Sequence, residues 1–111
     1  MHKWTIEYWV AEDGKSSPLE AMLNSLTNLQ LKSLAKELAL LECCGNTLKL
    51  PHSRSLGKNL FELRERNFGY RVYCTFLKNK AIVLLQGGDK SSQQKDIVIA
   101  RERLAILLRE N

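Results

Sequence analysis

Three strand-like runs follow one another with almost no chain between them: Leu60–Arg66, Tyr70–Leu77 and Ala81–Gln86. The links Asn67-Phe68-Gly69 and Asn79-Lys80 only let the chain double back, since parallel strands need a crossover of a dozen or more residues. In the first run Phe61 and Leu63 face one way, with Glu62, Arg64 and Arg66 facing the other. In the second, Tyr70, Val72, Cys74 and Phe76 share a face opposite Arg71, Tyr73 and Thr75. The third is apolar throughout, as a strand covered on both faces would be. An antiparallel meander is therefore the centre of the fold.

The flanking segments supply what covers it. Trp4–Val10 alternates as a strand and ends in the turn Glu12-Asp13-Gly14-Lys15. Ser17-Pro18-Leu19-Glu20 reads as a capping box opening a short helix with Leu19, Met22, Leu23 and Leu26 on its apolar face. Thr27 to Gln30 opens a second helix, whose Leu31, Leu34, Leu38 and Leu41 run to a C-terminal cap at Gly45. So short a joint predicts an antiparallel helical hairpin. Asn46–Asn59 holds Pro51 and Gly57 without periodicity and reads as a loop carrying His52, Arg54 and Lys58. Gly87-Gly88 reads as the end of the third run of the meander. Ser91 or Ser92 then caps a last helix marked by Ile97, Ala100, Leu104 and Leu107. The expectation is one α+β domain over residues 1–111, in the order β-α-α-β-β-β-α, with Leu34, Leu38, Leu63, Val72, Leu84 and Leu104 in its core.

Several classes are excluded. No apolar run approaches the roughly 20 residues of a membrane helix, and the first seven residues lack the apolar core of a secretion signal. Three cysteines, two of them adjacent at Cys43 and Cys44, fit neither a disulfide framework nor a zinc site. A cytoplasmic protein without metal or cofactor is expected.

The charge is concentrated. The chain is +5, but eight basic residues stand against two acids between Lys49 and Lys80, which makes that window +6 and the remainder −1. A basic stripe on a balanced protein suits a polyanion, because neutralised phosphates release counterions. Arg64 and Arg66 share a strand face, Arg71 lies on the next strand, and Lys90 follows the third. Tyr73, on the parity of Arg71, is a candidate for stacking on a base. That parity also places Arg71 on a face where substitution spares the core. The competing reading is cross-strand pairing of the arginines with Glu62 and Glu65, but two acids are too few for all of them.

Phe61-Glu62-Leu63-Arg64, Phe68-Gly69-Tyr70-Arg71-Val72-Tyr73 and Leu84 to Ile97 (most specifically Gly87–Ser92 with Gln93 and Asp96-Ile97) resemble the addiction-module killer proteins. These belong to the RelE/ParE toxin superfamily, close to HigB and the phage-derived toxins. The resemblance implies a RelE-like fold, helices on a mainly antiparallel twisted sheet. It implies the toxin of a type II toxin–antitoxin module, held in check by an antitoxin that is a helix-turn-helix protein encoded beside it. The implied activity is metal-independent endoribonuclease cleavage of messenger RNA on the ribosome, by attack of a 2′-hydroxyl on the adjacent phosphate.

Residue by residue, the resemblance makes Arg64, Arg71 and Lys90 catalytic, with Arg54, Lys58, Arg66 and Tyr73 binding RNA. Two departures stand out: Glu62 replaces a lysine of RelE-type enzymes, and Asp96 a tyrosine. Arginine is a poor base, so that role passes to Glu62, Asp89 or His52 as candidate general bases. Each also has a plain structural role open to it, and for Asp96 a charge in the first turn of the last helix is the better reading. Two alternatives remain open: a ParE-like toxin that inhibits DNA gyrase without cleaving anything, and a decayed toxin that only binds its antitoxin.

Overall fold

The computed structural model describes residues 3–110; Met1 and His2, within the stretch inspected for a secretion signal, and Asn111 lie outside them. The strands are β1 (Thr5–Tyr8), β2 (Ser53–Gly57), β3 (Leu60–Arg64), β4 (Tyr70–Phe76) and β5 (Ala81–Asp89). The helices are α1 (Pro18–Asn24), α2 (Asn28–Cys44) and α3 (Gln93–Glu110). The meander forms as expected, with β3, β4 and β5 antiparallel neighbours in a sheet ordered β1-β5-β4-β3-β2 and only β1 parallel to its neighbour β5.

Local chemistry accounts for the helix starts. The Ser17 hydroxyl accepts from the Glu20 N–H, with Pro18 in the first turn. Thr27 and Gln30 complete a reciprocal capping box. The turn after β1 closes on Asp13, whose carboxylate accepts from the Lys15 and Ser16 N–H groups at 2.8 Å each. Those bonds and the Ser16 hydroxyl lower its pKa to about 2.

Two local readings are corrected. Ser53–Gly57 is an edge strand rather than loop, so the order is β-α-α-β-β-β-β-α. Its side chains carry no alternation to announce it; only Ser53 is buried, and its backbone pairing with β3 defines it. The last strand also runs through Gly87-Gly88 instead of breaking there. A side chain at Gly87 would collide with Met22 and Leu19 of α1, and one at Gly88 with Asp96 and Ser92 at the start of α3. The two glycines let helices close on the strand from both sides.

The sheet is covered on both faces. α1 and α2 set Leu19, Leu34 and Leu41 against Leu63, Val72, Cys74, Ile82 and Leu84. α3 sets Ala100 and Leu104 against Leu60, Tyr73, Val83 and Leu85. A bulge opposite Tyr73/Cys74 leaves Leu85 unpaired, so that Val83, Leu85 and then Gln86 all serve the α3 side. Of the six expected core residues, five are buried, and Leu38 is half-buried against the α2-side cluster.

Candidate functional site

Sheet register sets the site. Arg54, Glu62, Tyr73 and Gln86 stand opposite one another across β2, β3, β4 and β5, and Arg64, Arg71 and Gly88 form the next row. Directly opposed residues share a face, here the face that α3 covers. The Glu62 side chain is fully buried at the centre of the group. Its Oε1 accepts from Arg54 Nε at 3.0 Å, and its Oε2 from Gln93 Nε2 at 2.8 Å. Arg71 Nε lies 3.5 Å from Oε2 and Arg64 Nε 3.9 Å from Oε1. A carboxylate out of water needs such partners, because an isolated buried charge is far too costly.

The Arg71 side chain is only 11% exposed, which corrects its placement on an open face. Its Nε is buried without a hydrogen-bond partner, the contact with Glu62 being an ion pair rather than an aligned bond. Beyond this group the sheet end opens into a cleft of ≈ 180 Å³ lined by Arg64, Glu65, Arg66, Gly69, Tyr70, Arg71 and Lys90. Both rows run out here, past the N-terminus of α3, so four cations meet around one small opening.

The structure therefore gathers Arg64, Arg66, Arg71 and Lys90 and leaves other candidates outside. Lys58 sits in the β2–β3 turn, at the far end of β3 from the cleft, roughly 13 Å along the strand. Arg54 is half-exposed behind Glu62 and does not line the cleft.

The expected stacking role of Tyr73 fails, because α3 lies over that face and buries the ring completely. Its hydroxyl is buried without a hydrogen-bond partner, and burial together with the Glu62 and Asp96 charges pushes its pKa far up.

The candidate bases are accounted for differently. Glu62 is enclosed, with both oxygens occupied, and positions guanidinium groups instead. Asp89 caps the turn Lys90–Ser92, where the Ser91 hydroxyl and the Ser91 and Ser92 N–H groups lower its pKa and make it a weak base. The His52 ring turns to α2, with Nδ1 2.8 Å from Glu37 Oε1. Asp96 takes the plain role: it is buried, accepts from Gln86 Nε2 at 2.8 Å and from the Ser92 hydroxyl, and ties α3 to β5.

Two contributors escaped the sequence. Gln93, read only as part of a motif, is the donor that completes Glu62. Tyr70, assigned by parity to the opposite face, lines the cleft because β4 begins there.

Glu65, expected to pair with arginines, serves the backbone. It accepts from the N–H groups of Asn67 (2.7 Å), Phe68 (3.1 Å) and Tyr70 (3.3 Å) and from the Ser33 hydroxyl (2.7 Å). Burial alone would raise its pKa, but these bonds outweigh it and hold the carboxyl below its ordinary value. Arg66 and Lys90 thus keep their charge facing solvent.

The family model described as phage derived protein Gp49-like matches residues 21–105. The chain belongs to this Gp49-like family. The match runs from the second half of α1 through most of α3 and takes in all the cleft residues. An uncharacterised protein of Haemophilus influenzae is 45% identical over 49 residues, covering 43% of this chain and 50% of that protein. The chain thus matches about half the length of that curated relative.

Two solved structures share the Gp49-like chain's fold. A mutant of the Escherichia coli toxin RelE in the free state superposes with a TM-score of 0.65 at 14% identity, covering 91% of this chain and 97% of that one. The isolated E. coli RelE toxin gives 0.55 at 15% identity, covering 78% and 83%. The α+β fold is RelE-like, as expected. Among the described residues no helix is long and apolar enough to cross a membrane, and no group of three or more His, Cys, Asp or Glu is placed to hold a metal ion.

Proposed function

We propose that this Gp49-like chain is the toxin of a type II toxin–antitoxin module, and that it cleaves messenger RNA on the ribosome without a metal. One observation carries the reading: Arg64, Arg66, Arg71 and Lys90 converge on one cleft, in a fold shared with a bacterial toxin. In the proposed reaction the 2′-oxygen gives its proton to solvent and bonds to the adjacent phosphorus as the bond to the 5′-oxygen breaks and that oxygen takes a proton from solvent, leaving a 2′,3′-cyclic phosphate and a 5′-hydroxyl. Arg71 and Arg64 hold the phosphate, and Lys90 balances the charge growing on its oxygens. Guanidinium groups suit this because they stay charged and offer paired donors. Glu65, the carboxylate lining the cleft, has both oxygens occupied. The rate enhancement is therefore assigned to preorganised charge rather than to a carboxylate base, an effect worth about 10²–10³-fold per donor in enzymes.

The partner would be an antitoxin whose acidic residues cover or distort the cleft, with opposite charge speeding association. The test is induction without an antitoxin, followed by pulse-labelling. Protein synthesis should stop first. If DNA synthesis falls while translation continues, a gyrase-directed toxin is the right reading. Cleavage of messenger RNA by the purified chain on purified ribosomes then establishes the chemistry.

A further inference from the structure

Phe68 stands in the connection between β3 and β4 with 46% of its surface exposed. Its chain neighbours Arg66, Gly69 and Tyr70 all line the cationic cleft, so the turn that carries Phe68 borders it. An exposed phenylalanine on a mobile loop would carry no message, but this connection is not built like a mobile one. Glu65, 2% exposed, accepts from three of its N–H groups, including that of Phe68 itself. Ser33 of α2 donates to Glu65 and accepts from Asn67 Nδ2 at 3.0 Å, pinning the turn to a helix. No cation pairs with Glu65 among the described ion pairs; its bonds go to the backbone N–H groups of the turn and to the Ser33 hydroxyl. Gly69, at φ +84°, then turns the chain into β4. The result is an exposed apolar ring on a turn whose backbone is held in place, beside a cleft lined by four cations.

We propose that Phe68 is a stacking platform for one nucleobase of a single-stranded RNA whose backbone lies in the cleft of Arg64, Arg66, Arg71 and Lys90. The proposal rests on the nucleic-acid reading of that cleft and adds how the substrate's bases are held. A fixed aromatic face beside a cationic track suits single strands, because every base has a π-face and little entropy is lost in ordering the platform. The role expected of Tyr73 thus falls to a residue on the turn rather than on the strand.

The probe is a fluorescein-labelled single-stranded RNA of ten nucleotides, 2′-O-methylated throughout so that it cannot be cleaved, titrated with the full chain at several salt concentrations. Phe68→Leu should weaken binding about 10-fold, within the range of one base–aromatic stack, and leave the salt slope unchanged because no phosphate contact is lost. Phe68→Trp should bind at least as tightly as the wild type. Replacing the bases of the probe by abasic sites should abolish the difference between Phe68→Leu and the wild type. Melting curves keep folding out of the comparison. Equal affinity of Phe68→Leu and wild type would overturn stacking and leave the ring to a protein partner, without touching the nuclease reading. A wild type that binds this RNA with Phe68 dependence but leaves ribosomal messenger RNA intact would overturn the nuclease and leave the platform standing.

Discussion

The two faces of the sheet are built on different principles. Under α1 and α2 the packed cluster is apolar, Leu19, Leu34, Leu41, Leu63, Val72, Cys74, Ile82 and Leu84, with Ser53 and Glu65 the buried polar residues on that side. Under α3 the apolar contacts share their space with Glu62, Thr75, Asp96 and the phenol of Tyr73, all buried. The first face gains stability from every contact, at about 25 cal/mol per Å² of apolar surface removed from water. The second cannot be the better stabiliser, because a buried ion pair often does no more than break even against an apolar replacement. What it gains is position. Arg71 is tied to one place by an anion behind it, and α3 is tied to β5 through Asp96 and Gln86. One face holds the chain folded and the other holds a site in order.

That contrast is broken most directly at Glu62. Glu62→Ala should destabilise by about 3–5 kcal/mol, the usual result of removing one partner from a buried charge group, since Arg54 and Gln93 lose their acceptor and Arg71 its ion-pair partner. Glu62→Met, of similar volume and combined with Arg71→Met, should recover much of the loss in a thermal melt while remaining inactive. A double variant no more stable than Glu62→Ala would mean that the group is a true stabiliser and the two faces are not different in kind. On the apolar face, Leu34→Ala should lose about 2–5 kcal/mol through transfer and cavity terms. In urea its midpoint should fall, and the residual folded protein should keep its wild-type cleavage rate per molecule.

Arg71 joins the two requirements. Arg71→Gln should cut cleavage on the order of 100-fold, as loss of a preorganised charge does, and Arg71→Lys should also be impaired because the paired donors are gone. Both should melt below the wild type, since Arg71 is 11% exposed and faces Glu62. Reporting the rate per folded molecule separates the effects. Wild-type cleavage by folded Arg71→Gln would remove Arg71 from the site.

Periodicity made most of the sheet legible, because β3 and β4 alternate strictly and their links are too short for any crossover. The α2-side core was legible for the same reason. β2 was hidden because an edge strand is defined by backbone pairing, and Ser53–Gly57 has no apolar rhythm to reveal it. Parity assigned Arg71 and Tyr73 to the right face but said nothing of what lies over it. α3 arrives from a distant part of the chain and turns an expected surface into an interior. Strand parity and order brought Arg64, Arg66, Arg71 and Lys90 together as the cleft has them, while Arg54 and Lys58 fall outside it and the partners of the arginines were misjudged. Glu62 serves three arginines at once, while Glu65, three residues on, serves backbone N–H groups. Composition cannot separate two such glutamates.

The smallest effect concerns that second glutamate and is read in acid. Its bonds to Ser33, Asn67, Phe68 and Tyr70 hold the folded carboxyl below its ordinary 4.5, against the opposing pull of burial. Between the folded and unfolded values the unfolded chain binds more protons, so stability rises with pH there. The contribution is fully present above about pH 5.5. It falls as pH drops through 4.5 toward the lower folded value, and it is gone below both. Asp13 follows the same sign between 3.8 and about 2, so a titration into acid meets the stretch of Glu65, which opens at 4.5, before that of Asp13. Glu65→Gln should flatten the upper stretch, the one that opens at 4.5, as followed by urea midpoints from pH 6 to pH 3. The same variant should loosen the turn that carries Phe68, which hydrogen exchange at the Phe68 and Tyr70 amides would report. An unchanged upper stretch with unchanged amide protection would mean that Ser33 and the strand ends hold the turn without the carboxylate. The buried anion would then have lost its reason for being there.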